Sequence, residues 1–280
     1  MIKKLMLCIV LFTFMNMNVT PVRALTLENL HNPTSFTVNI LPWEQVDRII
    51  PRKSIFTIID VETGEQFNVQ RRAGQRHADV QPLTHKDTKI MKKIYSGKWS
   101  WKRKAILIMT KDQLVAASMH GMPHGAGALK NGFPGHFCVH FDGSTTHGSR
   151  HQDLTHKLMI LRAGGELENY LNEIDPRQVV KVFESAVNQG DQRILNRIIK
   201  NGDKQVRLHE KLNDILIIKF AENSSLKNDT QQNLFFQHIK MTAVVYKRDN
   251  SSESKNIDFI LWKDLTSGQW IIDDQLAEEF

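Results

Sequence analysis

The chain opens with a leader whose removal leaves the protein with one cysteine. "MIKKLMLCIVLFTFMNMNVTPVRA" has two lysines, an apolar run over 5–15 and small residues up to Ala24. This order is typical of a secretory signal peptide cleaved after Ala24, because eleven apolar residues cannot span a bilayer core about 30 Å thick. Cleavage removes Cys8 and leaves Cys138 alone. The exported chain therefore forms no internal disulfide and has to fold around a hydrophobic core.

Composition and net charge limit the expected cellular location of the protein and the classes of partner that it would bind. The chain has 280 residues, of which 41% are hydrophobic, enough for two domains with ordinary cores. Loss of Lys3, Lys4 and Arg23 with the leader lowers the formal charge from +7 to +4. That modest surplus suits an anionic cell wall, whereas no alternation of basic and aromatic residues indicates a nucleic acid partner. No later segment is apolar enough for a membrane span, so we expect a secreted or cell-wall-associated protein.

Short β-rich runs and helical repeats predict an α+β fold with two parts. The first is a mixed or antiparallel β domain with hairpins over 54–70 and 103–121, the second turning near Lys111–Asp112. The second part is a helix-on-curved-sheet cone, whose first helix begins at Asp175. Nine of the twelve histidines lie between His77 and His156, which places a boundary after them. The predicted segments are the signal peptide 1–24, an N-terminal extension 25–49, a catalytic domain 50–165 and a cone domain 168–280.

The short strand "HFCVHF" carries the strongest indication of chemistry. Alternate residues of a strand share a face, so this strand has one reactive and one apolar face. The reactive face holds His136, Cys138 and His140, and the apolar face holds Phe137, Val139 and Phe141. A cysteine that merely fills a core, which is the common role of a buried cysteine, would suit the apolar face better. The pattern therefore favours a reactive thiol.

A free thiol is only a few per cent ionised at neutral pH, so it needs help to act as a nucleophile. An adjacent imidazole either takes its proton or, as an imidazolium, stabilises the thiolate. The glycine-rich segment after His120 can return over the strand and bring His124 with it, and its glycines can present N–H groups to an oxyanion. Arg76 belongs to a short basic run with Arg71 and Arg72, which either binds a substrate carboxylate or forms a solvated turn.

"HG" at 120–121, a gap of fourteen residues and "HFC" at 136–138 resemble the signature of L,D-transpeptidase (YkuD-type) catalytic domains. The resemblance implies an exported cysteine acyltransferase that acts on peptidoglycan stem peptides without a cofactor. It implies Cys138 as the nucleophile, His136 as the general base and His120 as the histidine of the first motif. Phe137 stands where that family has glycine, and His140 where it has arginine or asparagine. We expect His140, His124, Arg76, His77 and Asp79 to line the substrate site.

A second resemblance covers about residues 50–160 and opens a metal alternative. "RHADVQPLTHKDT", "ASMHGMPHG" and "GHFCVHF" resemble a domain of exported Gram-positive bacterial proteins, some of which are expected to carry Asp at the position of Cys138. Asp in that position would suit a metal ligand. The alternative is a zinc-dependent peptidase or amidase, unless "RHAD" is simply a helix-start turn. Its ligands would be His77, Asp79, His136 and His140.

The remaining expectations concern the C-terminal part and the last histidines. The order of elements over 170–280, with the closing "SGQWIIDD", resembles the cystatin-like cone of nuclear-transport-factor-like families. That resemblance implies an accessory module, and we expect a homodimer through it. We expect His147 to border the site, and His151 and His156 to lie on a solvated helix face. A third hypothesis for the function of the protein is that it binds the cell wall without catalysing a reaction.

Overall fold

The computed structural model describes residues 37–110, 113–146, 150–221 and 234–280. The predicted signal peptide, most of the N-terminal extension, the turn at Lys111–Asp112 and His147 lie outside these residues. The described residues belong to one compact unit of the α+β class, as predicted. Among the helices in these ranges, none has the length and apolar character that a membrane crossing requires.

The first sheet has seven strands and closes on itself. Its strands are β1 Val38–Asn39, β2 Ile55–Asp60, β3 Gln66–Ala73, β4 Ala78–Pro82, β5 Arg103–Met109, β6 Leu114–His120 and β7 Phe137–His140. Their order is β1-β6-β5-β2-β3-β4-β7, and β7 also pairs with β6. All pairings are antiparallel except that of β1 with β6, so both predicted hairpins are confirmed. Closure leaves β7 bonded along both of its edges.

The interior of this sheet is apolar because the strands alternate as the sequence predicts. Phe137, Val139 and Phe141 lie in the same buried cluster as Ile58 and Phe67. Full burial of one such side chain stabilises the fold by about 1.5–3 kcal/mol. The apolar face of the "HFCVHF" strand is therefore the face that anchors β7 in the core.

In this half of the chain, the described residues form three helices: α1 Trp43–Ile49, α2 His85–Ile94 and α3 Leu154–Gly164. The helix α2 begins with a reciprocal capping box between Thr84 and Asp87. Asp153 caps α3 through the His156 N–H, and Gly165 ends it with a φ of 78°. The helix α3 packs across β5 and β6, on the outer side of the closed sheet.

The second half is built from helices followed by an antiparallel sheet, as predicted. The helices are α4 Leu167–Glu173, α5 Pro176–Gln189, α6 Gln192–Ile198 and α7 Gln205–Asn213. The strands are β8 Ile215–Phe220, β9 Phe236–Lys247, β10 Ser252–Lys263 and β11 Trp270–Ile272, in the order β11-β10-β9-β8. Asp175 and Pro176 begin α5 with a capping box. The homodimer expected through this half stays a prediction.

One hydrophobic cluster joins the two halves. It begins with Ala105 and Ala116 on the first sheet, includes Leu158 and Ile160 of α3, and continues to Phe259 of the second sheet. The predicted boundary between 165 and 168 thus falls inside a single compact unit. As a division into domains, it stays a prediction.

Arg71 is buried, so the alternative that placed it in a solvated turn is wrong. Its guanidinium donates to the carbonyl oxygens of Ile50 at 2.7 Å and Gly74 at 2.9 Å, and to Asp47 Oδ1 at 2.5 Å. It also lies 4.8 Å from the ring centre of Trp43. Arg71 therefore joins α1 to the irregular end of β3, from which the chain continues into β4.

We expect Arg71→Met to destabilise the protein by about 3 kcal/mol, because it leaves buried carbonyl oxygens without donors. Urea unfolding measures the change. Arg48→Met, on the exposed side of α1, is the matched control and should stay within about 0.5 kcal/mol of the parent. Equal unfolding midpoints for the two variants would contradict this role of Arg71.

Candidate functional site

The register of β7 places polar side chains from β4, β6 and β7 on one face of the sheet. Asp79 of β4 pairs directly with Cys138, and Ser118 of β6 pairs directly with His140. Directly paired residues project to the same side of a sheet, with Cβ atoms about 4.5–5.5 Å apart. The predicted reactive face of β7 is confirmed as a face, and it lies opposite the apolar core face.

Continuing the same register places two more histidines on this face. His77 lies just before β4, and its ring stacks on that of His140 with centroids 4.6 Å apart. His120 ends β6, two residues beyond Ser118 on the same side. Asp79 is therefore presented by β4 and His77 by the position just before it, so the alternative of a helix-start turn is wrong.

The Cys138 thiol is buried but lies against polar atoms. The side chain is 3% exposed, and Sγ lies 3.3 Å from His124 Nε2 and 3.7 Å from Asp79 Oδ1. Burial raises the pKa of the thiol well above its usual range, and the Asp79 carboxylate raises it further. The resting thiol is therefore protonated. Its single proton can be donated either to His124 Nε2 or to Asp79 Oδ1, but not to both at once.

His124 contacts the sulfur, although the resemblance implied His136 as the base. The Nε2 atom of His136 lies 3.8 Å from Asp79 Oδ1. Within the described ranges, the ring nitrogen hydrogen-bonded to Sγ belongs to His124. This arrangement supports proton acceptance by an imidazole rather than a preformed thiolate, the first of the two roles weighed above.

Three of the histidines have one ring nitrogen fixed by a backbone carbonyl. The Nδ1 contacts are His77 to Thr145 O at 2.8 Å, His124 to Met122 O at 3.1 Å and His136 to Ala126 O at 3.0 Å. A carbonyl oxygen only accepts, so each Nδ1 carries a proton and donates it. In the neutral rings Nε2 is then the acceptor, and it is Nε2 that faces Asp79 or Cys138.

A backbone bridge brings His124 over the strand. His124 and His136 exchange N–H to carbonyl hydrogen bonds of 3.0 and 2.9 Å, and their rings lie 4.5 Å apart. Gly125, with a φ of 58°, allows this approach, because a Cβ there would lie 2.4 Å from His136 Cε1. The glycine-rich segment thus returns over the strand, as predicted.

His156 is buried, so the prediction of a solvated position is wrong. Its Nδ1 lies 2.9 Å from Ser118 Oγ, and its ring stacks 3.8 Å from that of His140. The reason is that α3 turns this side chain toward β6. Burial, with His140 beside it, holds the pKa of His156 well below its usual range. His151 is exposed and precedes α3.

His120 is 4% exposed, and its burial, together with the nearby His124 and Arg103, lowers the pKa of its ring to about 3. The ring is therefore neutral. Its Nδ1 is buried and has no hydrogen-bond partner in the part of the chain that the structure describes. The Trp101 ring covers this side, 4.7 Å from His120 and 5.5 Å from His124.

Arg76 is exposed and lies outside the histidine cluster. It lines a surface cleft of about 450 Å³, whose wall includes Arg52 and Arg150 and whose inner end reaches His77 and Asp79. The cleft therefore lies between these arginines and the β4 end of the buried face.

Together these residues form what we call the thiol pocket: Cys138, Asp79, His77, His120, His124, His136, His140 and His156. The histidine, cysteine and aspartate side chains expected at the site are all in it, apart from His147, which lies outside the described residues, and His156 is the one member that the sequence placed elsewhere. A scan against protein-family models and searches of curated proteins and of solved structures gave no match to this chain. The chemistry of the pocket therefore has to be argued from its own atoms.

We expect Gly125→Ala to cost at least about 1 kcal/mol more than Gly64→Ala. Both glycines have φ near 70° or below, but a Cβ at Gly64 meets nothing within 4 Å, whereas one at Gly125 meets the His136 ring. Thermal unfolding measures the difference, and the NMR signals of the His136 ring should shift only in Gly125→Ala. Equal costs and an unmoved ring would contradict the close approach.

Proposed function

We propose that this protein is an exported cell-wall enzyme that uses Cys138 for acyl transfer or amide cleavage on peptidoglycan stem peptides. The observation that carries the proposal is the 3.3 Å contact between Cys138 Sγ and His124 Nε2. His124 is oriented by the Met122 carbonyl through its other nitrogen. Nucleophile, base and orienting acceptor stand in the order that nucleophilic catalysis requires.

In the first step, Sγ attacks the carbonyl carbon of the substrate amide while the thiol proton passes to His124 Nε2. The new bond joins sulfur and carbon, and the C–N bond breaks as the imidazolium returns that proton to the departing amine. The product is a thioester on Cys138 and a free amine. Because the resting thiol is protonated, proton transfer accompanies the attack instead of preceding it.

In the second step, an amine of another stem peptide or a water molecule attacks the thioester carbon. His124 takes the proton of this nucleophile, and the C–S bond breaks to restore the thiol. An amine gives a new amide, which is transpeptidation, and water gives a carboxylate, which is hydrolysis. Both outcomes use the same pair of side chains.

The cell-wall substrate is supported by features outside the pocket. The predicted leader and the modest positive charge suit an anionic wall. The spacing of the His120 and Cys138 motifs resembles that of transpeptidases that act on stem peptides. The arginine-lined cleft ends on His77 and Asp79, next to the thiol, and suits a peptide carboxylate.

The residues that cover the Cys138 thiol must move before this mechanism can operate. Cys138 is 3% exposed, so a substrate carbonyl reaches Sγ only after part of the cover moves. His124 and His136 are partly exposed, and the segment that carries them contains Gly125, Gly127 and Gly135. A displacement of this segment would expose the sulfur to a substrate.

We expect Cys138→Ala to abolish product formation and His124→Gln to lower kcat by about 100- to 10,000-fold, the usual contribution of a general base. The measurement is mass spectrometry of muropeptides incubated with chelator-treated protein. A thioester adduct on Cys138 should accumulate with slow acceptors. His85→Gln, an exposed histidine on α2, is the matched control and should keep the parent rate.

Two results would contradict the proposal. Turnover that survives in Cys138→Ala would place the chemistry on another group. Tight binding to isolated sacculi by every variant, with neither adduct nor product from the parent protein, would favour a wall-binding protein without catalysis.

A further inference from the structure

Cys138 belongs to two overlapping groups of metal-ligand atoms. One group is His120, His124 and Cys138, and the other is His77, Cys138 and His140. Within each group the ligand atoms lie within 4.8 Å of one another. Both differ from the zinc set expected from the sequence, because both include the sulfur.

In the group with His120 and His124, the ligand atoms are better oriented to bind a metal ion than in the other group. His124 Nδ1 is held by the Met122 carbonyl, and metal-bound histidines almost always have their other nitrogen fixed in this way. Its Nε2 already lies against Sγ. His120 is a buried, neutral ring that carries a nitrogen without a protein partner among the described residues.

The charges around the sulfur also suit a cation. Asp79 Oδ1 lies 3.7 Å from Sγ, and the Nε2 atoms of His77 and His136 face the same carboxylate at 3.2 and 3.8 Å. A carboxylate this close to the sulfur favours a positive charge beside the thiolate.

We infer that the thiol pocket binds one divalent transition-metal ion of the zinc class through Cys138 Sγ and the rings of His120 and His124. A thiolate and two imidazoles are a ligand set that suits zinc, and they leave a fourth position open. The thiol proton is released when the ion binds. The Asp79 carboxylate and the thiolate together balance the charge of the ion.

The inference concerns the same atoms as the proposed function but does not depend on it. A thiolate bound to a metal ion is no longer free to attack a carbonyl, and His124 Nε2 is no longer free to accept a proton. Metal binding and acyl transfer therefore exclude each other, and the ion acts as an inhibitor of the proposed reaction.

The test uses chelator-treated protein without substrate. Equilibrium dialysis against Zn²⁺ should give one ion per chain, and calorimetry in buffers of different ionisation enthalpy should show release of about one proton. Co²⁺ in place of Zn²⁺ should produce sulfur-to-cobalt charge-transfer absorption. Cys138→Ser should abolish that absorption, which reports sulfur ligation directly.

The histidine variants decide the ligand set. His120→Gln and His124→Gln should each weaken Zn²⁺ binding by more than the about 10- to 100-fold that loss of an outer partner costs. His85→Gln should bind as the parent does. Circular dichroism checks that each variant is folded, and the cobalt spectrum of the parent tests sulfur ligation even where a variant is not.

Three results would overturn the inference: no zinc bound by the parent protein, zinc bound without cobalt–sulfur absorption, or loss of binding in His77→Gln and His140→Gln with binding kept in the other pair. The acyl-transfer experiment is run in chelator, so its failure leaves the metal result standing. Failure of metal binding likewise leaves the acyl-transfer result standing.

Discussion

The closure of the first sheet by β7 is the constraint on which the site depends. This strand has four residues and is bonded along both edges, to β4 through Asp79 and Cys138 and to β6 through Ser118 and His140. Its apolar face is anchored in the core. A slip of one residue would turn the phenylalanines outward and bury the thiol and the imidazoles in the core, so packing and chemistry specify the same register.

The closed sheet also explains how so many polar groups lie beneath the surface. The reactive face is the outer side of the sheet, and it is buried because α3 and the segment that carries His124 cover it. Backbone carbonyls hold three of the rings, and Ser118 holds His156. Hydrogen bonds of this kind offset the loss of water that makes buried polar groups costly. The rings are thereby fixed in orientation around one sulfur atom.

Local patterns were enough to predict the fold class, the hairpins and the two faces of β7. The alternation in "HFCVHF", the helix start at Asp175 and the β-rich hairpins all depend on neighbours in the chain, and each is confirmed. The identity of the imidazole at the sulfur was not predictable, because it depends on a bridge between His124 and His136.

The wrong predictions share a physical cause. Arg71 and His156 were judged by their immediate neighbours, which are polar. Arg71 is buried because carbonyl groups from α1 and from the end of β3 converge on its guanidinium. His156 is buried because the helix α3 packs against β5 and β6 on the side that carries this residue. Such burial is decided by segments distant in sequence, which single-chain patterns do not reveal.

The continuous core across residues 165–168 has a consequence for how the chain responds to cleavage by a protease. Leu158 and Ile160 of α3 share one apolar cluster with the second sheet, and Thr155 and Ser185 join α3 to α5 through their hydroxyl groups. Separation of the two halves would expose that apolar cluster to water. A protease that cut the chain near Gly165 would leave the two fragments associated through this shared core, and the histidine-rich face would stay buried.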